Sequence, residues 1–217
     1  MSNKKNVIII DFHLGNLFSV KQACDIIGIN ARISSDKNEI ANADALILPG
    51  VGAFIEAMQN LKDLDLINSI KDAVAVGKPL FGVCLGLQLL FTSSEEFGSG
   101  YGLNFIPGVI KKFPTILNDK KIKVPQIQWN KIYSNKLEWE GTPLSDIKQG
   151  EFLYFVHSYY VEPVNDLYIL SKTNYGGIEY CSSVIKENIF AVQFHPEKSA
   201  ENGLSIYKNW ATLNNLL

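Results

Sequence analysis

The chain has 217 residues, 47% apolar and 19% charged, with 20 Lys and Arg against 22 Asp and Glu for a net charge of −2. That apolar content can bury a sizeable core and argues against disorder, while the near-balanced charge argues against a general nucleic-acid binder, which needs a basic surface. The apolar runs at 79–83 and 87–91 fall far short of the roughly 18 residues a membrane span needs, and residues 1–5 lead into an apolar run too short for a signal-peptide core. The expectation is a cytoplasmic protein with neither membrane nor nucleic acid as partner.

Taken in chain order, Val7-Ile8-Ile9-Ile10 is β-branched and continuous, the mark of a strand buried on both faces. Residues 15–28 place Leu17, Val20, Ala23, Cys24 and Ile27 at helical spacing, with Gly28 as a stop. Ala45-Leu46-Ile47-Leu48 predicts a second buried strand ended by Pro49-Gly50, and helices are predicted over 53–61 and 64–76. A third strand spans 78–83 and a helix 85–92. This alternation means βαβ units and a parallel sheet. Beyond about residue 98 the texture changes to short strand-like segments at 107–113, 121–128, 151–156, 167–173, 178–185 and 189–193, before a closing helix at 200–214. The expected fold class is α/β, a central mostly parallel sheet flanked by helices with an antiparallel β extension, and residues 1–217 read as a single domain.

The three cysteines, Cys24, Cys84 and Cys181, form no C-x-x-C and no cluster with histidine at zinc spacing, so neither a disulfide framework nor a metal is expected. Cys84 stands apart. In Phe81-Gly82-Val83-Cys84-Leu85-Gly86-Leu87-Gln88 an apolar strand ends at Gly-x-Cys-x-Gly and an apolar helix begins at once. This is the layout of a nucleophile elbow, whose flanking glycines keep a tight turn uncrowded and whose helix N-terminus favours thiolate. A cysteine nucleophile needs a base, and the base needs a carboxylate to fix its tautomer. Gln193-Phe194-His195-Pro196-Glu197-Lys198 offers both from one loop. His157 and His13 are rival bases without a carboxylate at comparable offset. The Pro49-Gly50-Val51-Gly52 turn can expose backbone N–H groups as an oxyanion hole requires, or serve as an ordinary glycine-rich loop.

Together, P-G-V-G-A-F, G-V-C-L-G-L-Q-L-L-F, Y-F-V-H-S-Y-Y and V-Q-F-H-P-E-K-S resemble, in order and spacing, the class I (triad) glutamine amidotransferases. Within them, the F-V-H-S-Y-Y, Q-W-N and early G-N-L segments are similar to the glutaminase subunits of imidazole glycerol phosphate synthase. The resemblance implies a flavodoxin-like amidotransferase fold with no cofactor. It implies Cys84 as nucleophile, His195 as general acid/base and Glu197 as orienting carboxylate. Gly50, Val51, Gly52, Leu85, Gln88, His157, Ser158 and Tyr159 would take glutamine, with backbone N–H groups near Val51 and Leu85 as the oxyanion hole. Asn16, Trp129, Asn130 and Lys198 would face a (β/α)8 synthase-cyclase subunit in a heterodimer that uses the released ammonia in histidine biosynthesis.

Two segments depart from the family pattern. Phe12-His13-Leu14-Gly15-Asn16 has His13 where glycine is usual, and Pro125-Gln126-Ile127-Gln128-Trp129-Asn130 has Gln126 and Gln128 in place of histidine and glycine. Both are expected on the partner-facing surface. They leave open a paralogous subunit supplying ammonia to another synthetase, such as one amidinating a surface sugar. A free-standing cysteine amidase would need only the elbow, and a non-enzymatic scaffold would need none of the three triad positions.

Overall fold

The computed structural model describes residues 5–96, 98 and 100–217; the Met1-Ser2-Asn3-Lys4 stretch read above lies outside them. In chain order the first half runs β1 (Val7–Ile10), α1 (Leu17–Ile27), β2 (Ala31–Ser34), α2 (Lys37–Asn42), β3 (Ala45–Gly50), α3 (Phe54–Asp63), α4 (Leu66–Ala75), β4 (Leu80–Cys84) and α5 (Leu85–Leu89). The second half runs β5 (Phe91–Ser94), β6 (Gly100–Tyr101), β7 (Ile106–Lys112), β8 (Ile116–Leu117), β9 (Lys120–Lys121), β10 (Gln126–Lys131), β11 (Tyr133–Ser134), β12 (Phe152–His157) and β13 (Tyr159–Pro163). It closes with β14 (Ile169–Tyr175), β15 (Ile178–Lys186), β16 (Ile189–Val192) and α6 (Ala200–Leu213).

One sheet in the order β2-β1-β3-β4-β16-β15-β13-β7-β5-β6 passes through the molecule. Strands β2 to β16 on this path pair in parallel, and β15, β13 and β7 continue it antiparallel. Alternation along each parallel strand explains why the apolar runs are continuous. Val7 and Ile9 of β1, Ile47 of β3 and Phe81 and Val83 of β4 pack with Val20 and Cys24 of α1 and Tyr207 and Trp210 of α6. Ile8 and Ile10, Leu46 and Leu48 point the other way, against Phe54 of α3 and Leu66 and Ile70 of α4. Both faces of the sheet are therefore covered by helices, which antiparallel alternation of apolar and polar residues could not support. Each fully buried aliphatic side chain contributes about 1.5–3 kcal/mol.

The structure moves several predicted boundaries. Pro49 and Gly50 do not end β3; they belong to it, paired with Val83 and Cys84. The helix predicted over 85–92 stops at Leu89, because Phe91 to Ser94 pair in parallel with β7. The strand predicted over 121–128 is broken, and β10 begins only at Gln126. Strand β2 and helix α2 were not predicted; the latter starts at Asp36, whose carboxylate accepts from the Asn38 and Glu39 N–H groups.

Candidate active site

Strands β3, β4 and β16 run in parallel and end together, so Gly50, Cys84 and the segment from Gln193 to Glu197 meet at one carboxyl edge of the sheet. Open parallel sheets place ligands at that edge. Cys84 is the hinge residue between β4 and α5, with φ 55° and ψ −108°. A non-glycine residue there costs roughly 1–3 kcal/mol and persists only when its surroundings enforce it. The flanking glycines supply that enforcement. A Cβ on Gly86 would collide with the Leu48 carbonyl, and one on Gly82 would lie 2.9 Å from the Ala191 Cβ. Helix α5 can thus seat directly over β3, leaving the cysteine at the turn.

The Cys84 Sγ has Gln193 Nε2 at 3.7 Å and the Val156 carbonyl at 3.8 Å. Across from it, His195 follows β16 and leads into a short 3₁₀ turn at Pro196–Lys198, with proline at its first position. Ser199 locks this turn: its hydroxyl donates to the His195 carbonyl at 2.7 Å and accepts the Tyr154 N–H at 3.0 Å. The His195 N–H in turn donates to the Tyr154 carbonyl at 2.8 Å. His195 Nδ1 lies 2.7 Å from Glu197 Oε1, both side chains almost wholly buried. Nδ1 therefore carries a proton for the carboxylate, and Nε2 is the ring atom left for chemistry, with the Cys84 sulfur as its neighbour. Burial pulls the His195 pKa down, but the charge and hydrogen bonding of Cys84, followed by those of Glu197, overcome it and raise the value from 6.5 to about 10. The imidazole is consequently protonated at neutral pH and loses its proton only as pH rises through about 10. A ¹H–¹⁵N titration of the imidazole should be flat between pH 6 and 8, and Cys84→Ala should bring its midpoint down because the sulfur's contribution is gone.

The other cysteines differ in kind. Burial pushes the Cys24 thiol up to about 12 and raises Cys181 further. His157 is likewise no base: burial pulls it down to about 4, and its ring nitrogens face the Tyr159 carbonyl at 2.7 Å and the Tyr180 hydroxyl at 3.2 Å. His13 is exposed, in the first βα loop.

A cavity of about 270 Å³ opens beside Cys84 and is lined by Val51, Gly52, Leu85, Gln88, His157, Ser158 and Tyr159. Of the residues predicted to bind substrate, Gly50 does not line it; it packs beneath, where an added Cβ would lie 3.0 Å from the Phe12 ring and 3.1 Å from Leu85. The Val51 N–H donates to the Leu14 carbonyl at 3.4 Å, a long bond that already occupies this donor.

Among the predicted partner-facing residues, Trp129 is 48% exposed and packs edge-on against Tyr154, over which the Lys198 ammonium sits at 5.9 Å. Asn130 is half-buried, donating to the Asn174 carbonyl at 2.9 Å. Asn16 is half-buried at the start of α1, lining a small cleft with Val51, His195 and Glu197. Gln128 is exposed, but Gln126 is fully buried, contrary to the expectation that both lie on the surface. The period of two in β10 turns Gln126 inward beside His157, and Ile127 and Trp129 outward.

Four residues around the site were missed in the sequence. Gln193 and Ser199 flank His195, and a polar residue ending the apolar run 189–192 was a signal for the first. Tyr180 contacts His157 from β15. Glu96 lines the cavity, accepts the Phe54 N–H at 2.6 Å, and has no local signal in the sequence.

The family model for glutamine amidotransferase class-I matches residues 8–212. The chain is 42% identical to the imidazole glycerol phosphate synthase subunit HisH of Moorella thermoacetica, covering 95% of this chain and 94% of that one. It is 44% identical to the HisH of Chlorobium luteolum, covering 94% and 98%. Among solved structures, PurLQS from Thermotoga maritima superposes with a TM-score of 0.71 at 16% identity, covering 96% of this chain and 98% of that one. Another, a glutamine amidotransferase, gives 0.72 at 15%, covering 96% and 98%. Those two likenesses bear on the fold alone, whereas the sequence matches bear on descent. The chain belongs to the class-I glutamine amidotransferase family.

Proposed function

We propose that this chain is the glutaminase subunit of an imidazole glycerol phosphate synthase, hydrolysing glutamine to glutamate and ammonia and passing the ammonia to a (β/α)8 cyclase in a heterodimer. The observation that carries the chemistry is the buried His195–Glu197 pair at 2.7 Å facing the strained Cys84. The Cys84 thiolate attacks the glutamine carboxamide carbon, and protonated His195 delivers its Nε2 proton to the departing ammonia. Forming the thioester removes the negative charge on sulfur, which is one cause of the raised His195 pKa. The imidazole left behind is neutral, and in the same place it becomes the base that takes a proton from water. The resulting hydroxide attacks the thioester, releasing glutamate and restoring thiolate and imidazolium. One residue thus serves as acid and then as base because the charge beside it changes.

Val51, Gly52, Leu85, Gln88, His157, Ser158 and Tyr159 form the glutamine site in this reading, with Gly50 packed beneath it. The Leu85 N–H, at the first position of α5, and the Val51 N–H stabilise the oxyanion, the latter after release from Leu14. Glu96 is placed to attract the α-ammonium of an amino-acid substrate. The outer face of β10 and β12, with Ile127, Trp129, Phe152 and Tyr154, forms the docking surface together with Asn16, Asn130 and Lys198; exposed aromatics on one sheet face are typical of such contacts. The names of the relatives support this partner and pathway. The same reading takes residues 1–217 as one amidotransferase domain, supported by the continuous sheet and the match over 8–212. It places the protein in the cytoplasm, where the three free thiols are at home. No helix among the described residues is long and apolar enough to cross a membrane.

His13, Gln126 and Gln128 leave open one alternative, a paralogous subunit serving another synthetase such as a sugar-amidinating enzyme. Affinity purification from the native host separates the two. The cyclase should co-purify in equal amount; a stable complex with a sugar amidotransferase and none with the cyclase would decide for the alternative.

A further inference from the structure

A line of buried polar side chains runs from β10 to the cavity. Gln126, fully buried, has its amide 3.1 Å from the Tyr180 hydroxyl, which lies 3.2 Å from His157 Nε2. His157 Nδ1 faces the Tyr159 carbonyl at 2.7 Å. That carbonyl also accepts from Gln88 Nε2 at 3.1 Å, and the same Gln88 nitrogen lies 3.1 Å from Gln193 Oε1. Gln193 Nε2 then reaches Cys84 Sγ at 3.7 Å.

Valence sets the direction of the protons between Tyr180 and Tyr159. His157 Nδ1 faces a carbonyl and so carries the hydrogen, and burial keeps the ring neutral, leaving Nε2 a bare acceptor. Tyr180 has one hydroxyl proton, and burial holds it there well above the usual tyrosine range. That proton must point at His157. The oxygen of Tyr180 then accepts from its neighbours, the Thr173 hydroxyl and, when its amide is turned from the Oε1-facing orientation so that NH₂ points at Tyr180, Gln126. The opposite orientation leaves that NH₂ buried without an acceptor, the costlier arrangement. Both N–H groups of Gln88 are used, by Tyr159 and Gln193, so its Oε1 remains as an acceptor for a ligand in the cavity.

We propose that Gln126 and Tyr180 are positioning residues for glutamine: through His157 they pin the Tyr159 carbonyl, which in turn sets the Gln88 amide with Oε1 toward the substrate. The proposal deepens the glutaminase reading and rests on it. It also gives buried Gln126 a role, because β10 carries Trp129 on its outer face and Gln126 on its inner face, so the relay starts directly beneath the proposed docking surface.

The test uses the full-length chain and two alkylators of Cys84, a glutamine-analogue diazoketone that must occupy the pocket and iodoacetamide that need not. Losing one buried hydrogen bond of about 1–2 kcal/mol corresponds to roughly a 5- to 30-fold effect. Tyr180→Phe and Gln126→Leu should each raise the half-saturation constant of the diazoketone by about that factor, while the maximal inactivation rate and the iodoacetamide rate change less than about twofold. The double variant should be no worse than the weaker-binding single variant, since both cut one relay. Gln126→His, which keeps an N–H donor, should recover most of the loss. If one variant does not fold, the other reads the same relay. An unchanged half-saturation constant in either folded variant, additive losses, or equal slowing of both alkylators would overturn the relay. A wild-type chain that, with the liganded cyclase bound, reacts with iodoacetamide but not with the diazoketone would overturn the glutaminase reading itself, and the relay with it.

Discussion

Cys84→Ala is expected to lower glutamine hydrolysis by about 10⁴-fold or more, because the thioester route then has no nucleophile. The variant should keep its fold: alanine fits the volume, and the positive φ of 55° is enforced by Gly82 and Gly86 and not by the thiol. Glutamine should still bind, since the cavity is lined mainly by other groups. Steady-state glutamate release together with calorimetric titration of glutamine checks both parts. Retention of most of the activity would remove Cys84 from the chemistry, and with Cys24 and Cys181 buried and held protonated no other thiol could replace it.

The second large effect is at Glu197. Its Oε1 holds His195 Nδ1 while its Oε2 has no hydrogen-bond partner among the described residues. Glu197→Gln can therefore keep an oxygen on Nδ1 and place its NH₂ where Oε2 stood, so the substitution removes charge with little change of shape. Losing that charge takes away part of what holds the imidazole pKa at about 10. The imidazolium becomes a smaller fraction at neutral pH and is less stabilised when it forms. The rate constant kcat should fall by about 10² to 10⁴-fold with the Michaelis constant for glutamine changed much less. The pH-rate profile should sharpen on its alkaline side, with the limb moved to lower pH. A parallel rise in the Michaelis constant with unchanged kcat would make Glu197 a binding residue instead of an orienting one.

The parallel half of the fold was legible because its strands are apolar on both faces and its helices carry their apolar residues at regular spacing. Val7 to Ile10 and Ala45 to Leu48 are buried throughout, as their unbroken runs imply. Helix α2 was not seen, although Asp36 and Glu39 stand at the spacing of a helix N-cap; its six residues are too few for periodicity to register. The run after Cys84 misled for a related reason. Leu85 to Phe91 reads as one apolar helix, and only the non-local pairing of β5 with β7 ends it. In the antiparallel half, Gln126 reads as a surface residue because glutamine ordinarily is one. Its burial follows from cross-strand register with His157, which no local pattern contains. The reactive groups were the most legible part, since Gly-x-Cys-x-Gly and His-Pro-Glu are local motifs whose geometry the backbone carries. Gln193, Tyr180 and Glu96 act through contacts between distant elements, and those are set by the sheet.

In the proposed function this chain makes ammonia for a cyclase that controls it. The Val51 N–H is engaged by the Leu14 carbonyl, and if it is the second oxyanion donor proposed above, slow hydrolysis by the isolated chain is expected. The most direct measurement is the rate of glutamate release with and without the (β/α)8 cyclase subunit and its nucleotide ligand. A stable one-to-one complex and a stimulation of about 10²-fold or more are expected, the worth of one restored oxyanion donor. A rate unchanged by the liganded cyclase would contradict the proposed function.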